Sequence, residues 1–134
     1  MTVLFLCPHG AAKSLVAHAL FEREAKSRGL SVEVASAGTD PDPGPMPEVV
    51  ALLAAEGIDV SGHIPRRVTA EDITSATRTI SLGCDLGELL PAGMPVDDWG
   101  DVPLPSQDLQ GVRRIVGERV KALVDELSGK SNSP

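Results

Sequence analysis

The sequence predicts an α/β fold of three layers: a four-stranded parallel sheet with helices on both faces. Three observations carry that expectation. Short apolar runs alternate along the chain with segments whose apolar residues recur at helical spacing. The first run, Val3-Leu4-Phe5-Leu6, is apolar throughout, as a strand buried on both faces must be. The chain has 134 residues, 42% of them hydrophobic, which is material for one core and short for two. A single domain over residues 1–129 is expected, with 130–134 as a disordered tail.

Each element follows from local chemistry. Residues 2–6 form the first strand, and the small-residue loop Cys7-Pro8-His9-Gly10-Ala11-Ala12-Lys13-Ser14 comes next. Leu15, Val16, Ala19, Leu20 and Ala25 share one helical face over 15–28, and Gly29 is a C-terminal stop. Residues 30–35 alternate apolar and polar and read as a second strand. A connection rich in Pro, Gly and Asp spans 38–47. A helix over 48–56 ends at Gly57. Thr69 caps a short helix that begins Ala70-Glu71-Asp72. Residues 78–82 form a third strand, 83–95 a loop with one helical turn, 96–99 a fourth strand, and 100–108 a second proline-bearing loop. From Leu109, the apolar series Val112, Ile115, Val116, Val120, Leu123, Val124 and Leu127 predicts a long amphipathic helix ending near Gly129.

Composition excludes several functions. Phe5, Phe21 and Trp99 are the only aromatic residues and tyrosine is absent. An aromatic cage and tyrosine-driven base stacking are thereby ruled out. The net charge of -7 argues against nucleic-acid binding and against docking on anionic lipid. No apolar run reaches the ~18 residues of a membrane span. The N-terminal segment lacks a basic leader, so a cytoplasmic location is expected. Cys7 and Cys84 are the two cysteines and make no disulfide framework. His9, His18 and His63 show no short metal-ligand spacing, and neither metal nor cofactor is expected. Ser128-Gly129-Lys130-Ser131 lacks the earlier glycine of a nucleotide-binding loop and carries no weight.

The chemistry centres on Cys7. In a parallel sheet the ligand sits beyond the carboxyl ends of the strands, where the strand order reverses. Cys7 stands at the end of the first strand and before a helix. Gly10, Ala11 and Ala12 have little side chain, so their backbone N–H groups can converge on an anion. The helix N-terminus adds partial positive charge. Lys13 adds a full charge, and Ser14 offers a hydroxyl to the sulfur. A cysteine so cradled is expected to act as a thiolate nucleophile under a bound oxyanion. His9 reads as a binding residue of the loop, as a proton donor or a group that steadies the thiolate, or as an inert solvated histidine. The plainer alternative is a buried strand-end cysteine beside a tight turn.

Several motifs in order extend this reading. The chain opens with a strand, then Cys7, five residues, Lys13 and Ser14. Ser36-Ala37-Gly38-Thr39 follows, then Gly57-Ile58-Asp59-Val60-Ser61-Gly62-His63, Arg66 or Arg67, and Val68 to Asp72. Over residues 1–85 this resembles the low-molecular-weight protein tyrosine phosphatases and their relatives, the thiol-based arsenate reductases. The resemblance implies a phosphotyrosine protein phosphatase I-like fold of flavodoxin-like topology. It also implies cysteine-nucleophile phosphate-monoester hydrolysis on a phosphate-binding loop.

Four departures from the family pattern bear on activity. Lys13 stands where the family has arginine. Losing the planar guanidinium fork costs roughly 1.5–3 kcal/mol, or on the order of 10 to 100-fold in rate. The family's late Asp-Pro, whose acid protonates the leaving group, aligns with Leu104-Pro105. Asp101 lies three residues earlier and substitutes only if the loop shifts; without an acid the loss is about 10² to 10⁴-fold. Gly10 replaces an asparagine and tolerates a positive φ. Cys84 matches the first of the reductases' later cysteines, while Leu89-Leu90-Pro91 occupies the stretch of the next. A three-thiol relay within the chain is excluded, and a two-thiol cycle between Cys7 and Cys84 is left open.

Three functions therefore compete. Slow phosphate-ester hydrolysis stands first, a non-catalytic oxyanion-binding role second, and an arsenate reductase-like thiol cycle using Cys7 and Cys84 third. The expected partner is a small oxyanion or phosphate ester; the sequence specifies no protein partner. In the resembled phosphatases aromatic side chains stack on the phosphotyrosine ring, so a chain without tyrosine points to a small anion or a non-aromatic ester. Asp40, Asp42, Asp97, Asp98, Asp101 and Asp108 are expected to form an acidic rim that repels phosphoproteins.

Overall fold

The computed structural model describes residues 1–129. The tail expected over 130–134 lies outside the described residues. The elements run β1 (Thr2–Cys7), α1 (Lys13–Ser27), β2 (Glu33–Gly38), α2 (Pro47–Ala54), α3 (Ala70–Ser75), β3 (Arg78–Ser81), a 3-10 turn at Gly87–Leu89, β4 (Asp97–Asp98) and α4 (Leu109–Ser128). The four strands form one sheet in the order β2-β1-β3-β4, and every pairing is parallel.

The sheet separates two apolar layers, as the alternation of side chains along a strand requires. Val3, Phe5 and Cys7 of β1 face α1, α2 and α4, packing with Val16, Phe21, Leu53, Val116 and Val120. Leu4 and Leu6 face the other way, onto Val68, Ile73 of α3 and Leu86. The three aromatic rings are spent in the first layer. Phe5 meets Phe21 edge-on at 5.6 Å and Trp99 at 5.9 Å between centroids.

The expected elements appear in the expected order, with boundary differences, among them those at β2, β4 and α1. The second strand lies at Glu33–Gly38 rather than 30–35. The Leu30 N–H closes the end of α1 on the Ala25 carbonyl, and pairing begins only where Glu33 reaches Thr2. The fourth strand shrinks to Asp97–Asp98, paired with Ile80 and Ser81. Helix α1 begins at Lys13 rather than Leu15, so Lys13 and Ser14 are inside its first turn.

The helix starts differ in a way that matters for the site. Thr69 and Asp72 form a reciprocal capping box on α3, and Asp108 caps α4 through the Gly111 N–H. Helix α1 has Ala12 as its N-cap, with no side-chain cap and no acidic residue in its first turn. Its free N–H groups are left for an anion.

Candidate active site

The switch point between β1 and β3 carries the loop from Cys7 to α1. Cys7 is 3% exposed, and its Sγ lies 3.0 Å from the Ser14 Oγ. Ser14 is buried within α1, so the helix fixes its hydroxyl against the sulfur. Lys13 is also buried, and its Nζ lies 3.2 Å from where a Cβ on Gly83 would stand. Gly83 has φ +92, a left-handed backbone that favours glycine, and a side chain there would crowd the Lys13 ammonium.

The loop itself is held from outside. Gly10 has φ +63, as a glycine at that place permits. The His63 Nε2 lies 3.0 Å from the Gly10 carbonyl oxygen and donates to it. Gly38 presses on the loop so closely that a Cβ there would lie 2.7 Å from the Gly10 nitrogen and 2.8 Å from the Pro8 oxygen. The Ala11 carbonyl accepts from the Met46 N–H. Two further backbone bonds join this loop to the next one, from Asp40 N–H to the Pro8 carbonyl and from Asp42 N–H to the His9 carbonyl, at 2.7 and 3.0 Å.

Above Cys7 opens a cavity of about 160 Å³ lined by Cys7, Pro8, His9, Ala12, Lys13, Leu104 and Pro105. Of the site residues singled out in the sequence it brings together Cys7, His9, Ala12 and Lys13, while Gly10, Ala11, Ser14 and Cys84 are not in its lining, and its volume suits a tetrahedral oxyanion. Leu104, which the resemblance sets at the acid's place, is 51% exposed at its rim. Asp101 is not among the lining residues. A bidentate pair with Arg119, at 2.7 and 2.6 Å, holds it on α4 and keeps its carboxyl below the usual range. Trp99 likewise faces another groove, with the Arg119 guanidinium 5.9 Å from its ring.

Cys84 is half-buried on the loop after β3. Burial, and then the charge of the nearby Cys7, push its thiol up to about 11, while Thr39 and the Lys13 charge pull the other way. Both cysteines are free. Among the described residues no group of three or more His, Cys, Asp or Glu side chains is placed to hold a metal ion.

The acidic rim is mostly committed elsewhere. Asp97 pairs with Arg78, Asp98 accepts from the Gly100 N–H, Asp101 pairs with Arg119, and Asp108 caps α4. Only Asp40 and Asp42 border the Cys7 loop, and Asp42 lies 3.4 Å from the His9 Nδ1. Arg66 pairs with Asp72, and Arg67 donates to the Thr39 carbonyl. Sequence reasoning missed Gly83, and it placed Asp42 on the acidic rim without its contact to His9. The Ser36-Ala37-Gly38-Thr39 motif was the signal for the close approach at Gly38.

Comparisons with known proteins bear on the family and the fold. The model of the family described as low molecular weight phosphotyrosine protein phosphatase matches residues 2–90. A protein of Halobacterium salinarum named "Putative arsenate reductase" is 33% identical over 129 residues, covering 92% of this chain and 91% of its own. The crystal structure of an arsenate reductase from Archaeoglobus fulgidus is 30% identical, with a TM-score of 0.73, 91% of this chain and 98% of that one covered. A protein tyrosine phosphatase from Entamoeba histolytica shares the fold at a TM-score of 0.86 and 19% identity, covering 98% and 99% of the two chains. On the family match, which takes in the Cys7 loop and the strands that carry it, the chain belongs to the low molecular weight phosphotyrosine protein phosphatase family.

Proposed function

We propose that the chain is a thiol-based enzyme acting on a small tetrahedral oxyanion, with arsenate reduction as its reaction. Cys7 is the nucleophile, and Ser14 donates to its sulfur. Lys13 and the N–H groups of Gly10, Ala11 and Ala12 hold the oxyanion. The observation that carries the choice of reaction is the second thiol. Cys84 follows β3, the strand paired with β1, lines the neighbouring groove with Ser81 and Gly83, and the Cys7 charge helps to raise its thiol. The reductases among the relatives, at 33% and 30% identity, support the same choice.

The Cys7 thiolate forms a sulfur–arsenic bond, and one arsenate oxygen leaves as water. The Cys84 thiolate then attacks the Cys7 sulfur, and the electron pair of the sulfur–arsenic bond passes to arsenic. Arsenite leaves and a Cys7–Cys84 disulfide forms. Two thiols supply the two electrons, and an external thiol reductant restores them.

Phosphate-monoester hydrolysis is the second reading, supported by the family match and the Cys7–Ser14 contact. Leu104 at the rim and the Asp101–Arg119 pair predict that it is slow with poor leaving groups. Incubating reduced protein with arsenate tests both. We expect one arsenite per chain and a Cys7–Cys84 disulfide in the peptide map, neither of them in Cys7→Ser. If neither forms, the reductase reading falls, and Cys7-dependent cleavage of p-nitrophenyl phosphate decides for the phosphatase. Phosphate binding without either turnover would leave the non-catalytic role.

A further inference from the structure

The family's acid position holds a leucine, yet a departing oxygen needs a proton. One other group that can carry a proton lines the Cys7 cavity at its mouth. His9 is an exposed residue of the loop, and its ring is held on one side only. Its Nδ1 lies 3.1 Å from the Asp40 carbonyl oxygen and 3.4 Å from the Asp42 carboxylate. Both partners are acceptors, so Nδ1 carries hydrogen and donates. Nε2 has no protein partner among the described residues.

The holder is itself built into the loop. The Asp40 and Asp42 N–H groups bond back to the Pro8 and His9 carbonyls. The segment that carries the two ring acceptors is thus locked to the backbone on either side of His9. A carboxylate behind one imidazole nitrogen orients the ring. Cys7 and Lys13, the other ionisable groups of the cavity, lie deeper on its floor.

We propose that His9, oriented by Asp42, is the proton donor to the leaving oxygen at the Cys7 site, in place of the missing carboxylic acid. This rests on Cys7 acting as nucleophile toward an oxyanion. As the sulfur bond to the central atom forms, the bond to the leaving oxygen breaks and its electron pair stays on that oxygen. The His9 Nε2–H proton passes to it, and the exposed ring is reprotonated from water. With arsenate the leaving group departs as water, and with an ester as the alcohol.

His9→Asn tests this, because its amide retains a donor toward Asp40 and removes Nε2. The ratio of Cys7-dependent rates on 2,4-dinitrophenyl phosphate and phenyl phosphate is the readout, since an acidic phenol needs little protonation. That ratio rises about 10²-fold in His9→Asn and shifts the same way in Asp42→Asn. On arsenate, His9→Ala slows arsenite formation by a similar factor, and added imidazole restores part of it. Equal losses on both esters, or no loss, overturn the assignment of His9, as does a failure of imidazole to rescue. Absence of any Cys7-dependent turnover in the unaltered protein instead overturns the nucleophile reading on which this one stands.

Discussion

At the scale of single residues, environment decides what each thiol can do. Cys7 has a hydroxyl at 3.0 Å and a helix start beside it, whereas Cys84 has apolar cover and a neighbouring charge of its own sign. With the Cys84 thiol near 11, its thiolate fraction at pH 7 is on the order of 10⁻⁴. Alkylation of Cys84 by iodoacetamide should therefore be slow at pH 7 and rise about tenfold per pH unit up to about 11. Cys7→Ser removes one of the causes and should move that curve to lower pH. Peptide mapping by mass spectrometry reads both effects, and fast labelling of Cys84 at pH 7 would contradict them. Cys7, Lys13 and Ser14 were legible in the sequence because one loop and one helical turn carry all three. The partner of the His9 ring was not, since Asp42 lies 33 residues on and meets it only through the fold.

At the scale of elements, the site depends on contacts between segments as much as on the loop. Gly38 ends β2, beside the end of β1, and leaves no room for a side chain. Gly38→Ala should displace the Cys7 loop, because the added carbon would lie 2.7 Å from backbone nitrogen that no rotamer change can move. We expect Cys7-dependent turnover to fall at least about 10-fold, since a misplacement near 1 Å costs up to about 10² in rate. A purely global effect would instead lower the melting temperature in step with activity. The capping box of α3 was readable, because Thr69 and Asp72 stand three residues apart and act locally. The extent of β2 and β4 was not, because strand length depends on where a partner strand begins and ends.

At the scale of the whole molecule, α1, α2 and α4 are tied on one face of the sheet. Glu56, just beyond α2, takes Arg113 of α4 in two contacts at 2.5 and 2.7 Å, and Arg23 of α1 at 3.0 Å. The Arg113 hydrogen bonds, aided by Arg23 and opposed by burial, hold the Glu56 carboxyl down at about 2. A lowered carboxyl means that the folded state favours the anion. Its contribution is full above pH 4.5 and is lost as pH falls from there toward about 2. Glu56→Gln should destabilise the protein at pH 7 by roughly 2 kcal/mol, solvent screening reducing the effect, and flatten the stability curve over that acid window. Urea unfolding at a series of pH values checks it; an unchanged slope would mean that the bridge contributes little.

By itself the sequence determined the α/β class, the order of the elements, the loop that carries Cys7, and the family. These rest on short-range facts: apolar period, capping chemistry, and small residues beside a cysteine. The scarcity of aromatics was equally plain, and the structure accounts for it by setting Phe5, Phe21 and Trp99 in or against the core. Only the tertiary structure decided what surrounds the reacting sulfur. It held Asp101 on Arg119, set Leu104 at the rim, and brought Asp42 to His9 and Cys84 within range of Cys7. Those relations join residues far apart in the chain, and a charge or a proton acts across space, whatever the spacing in sequence.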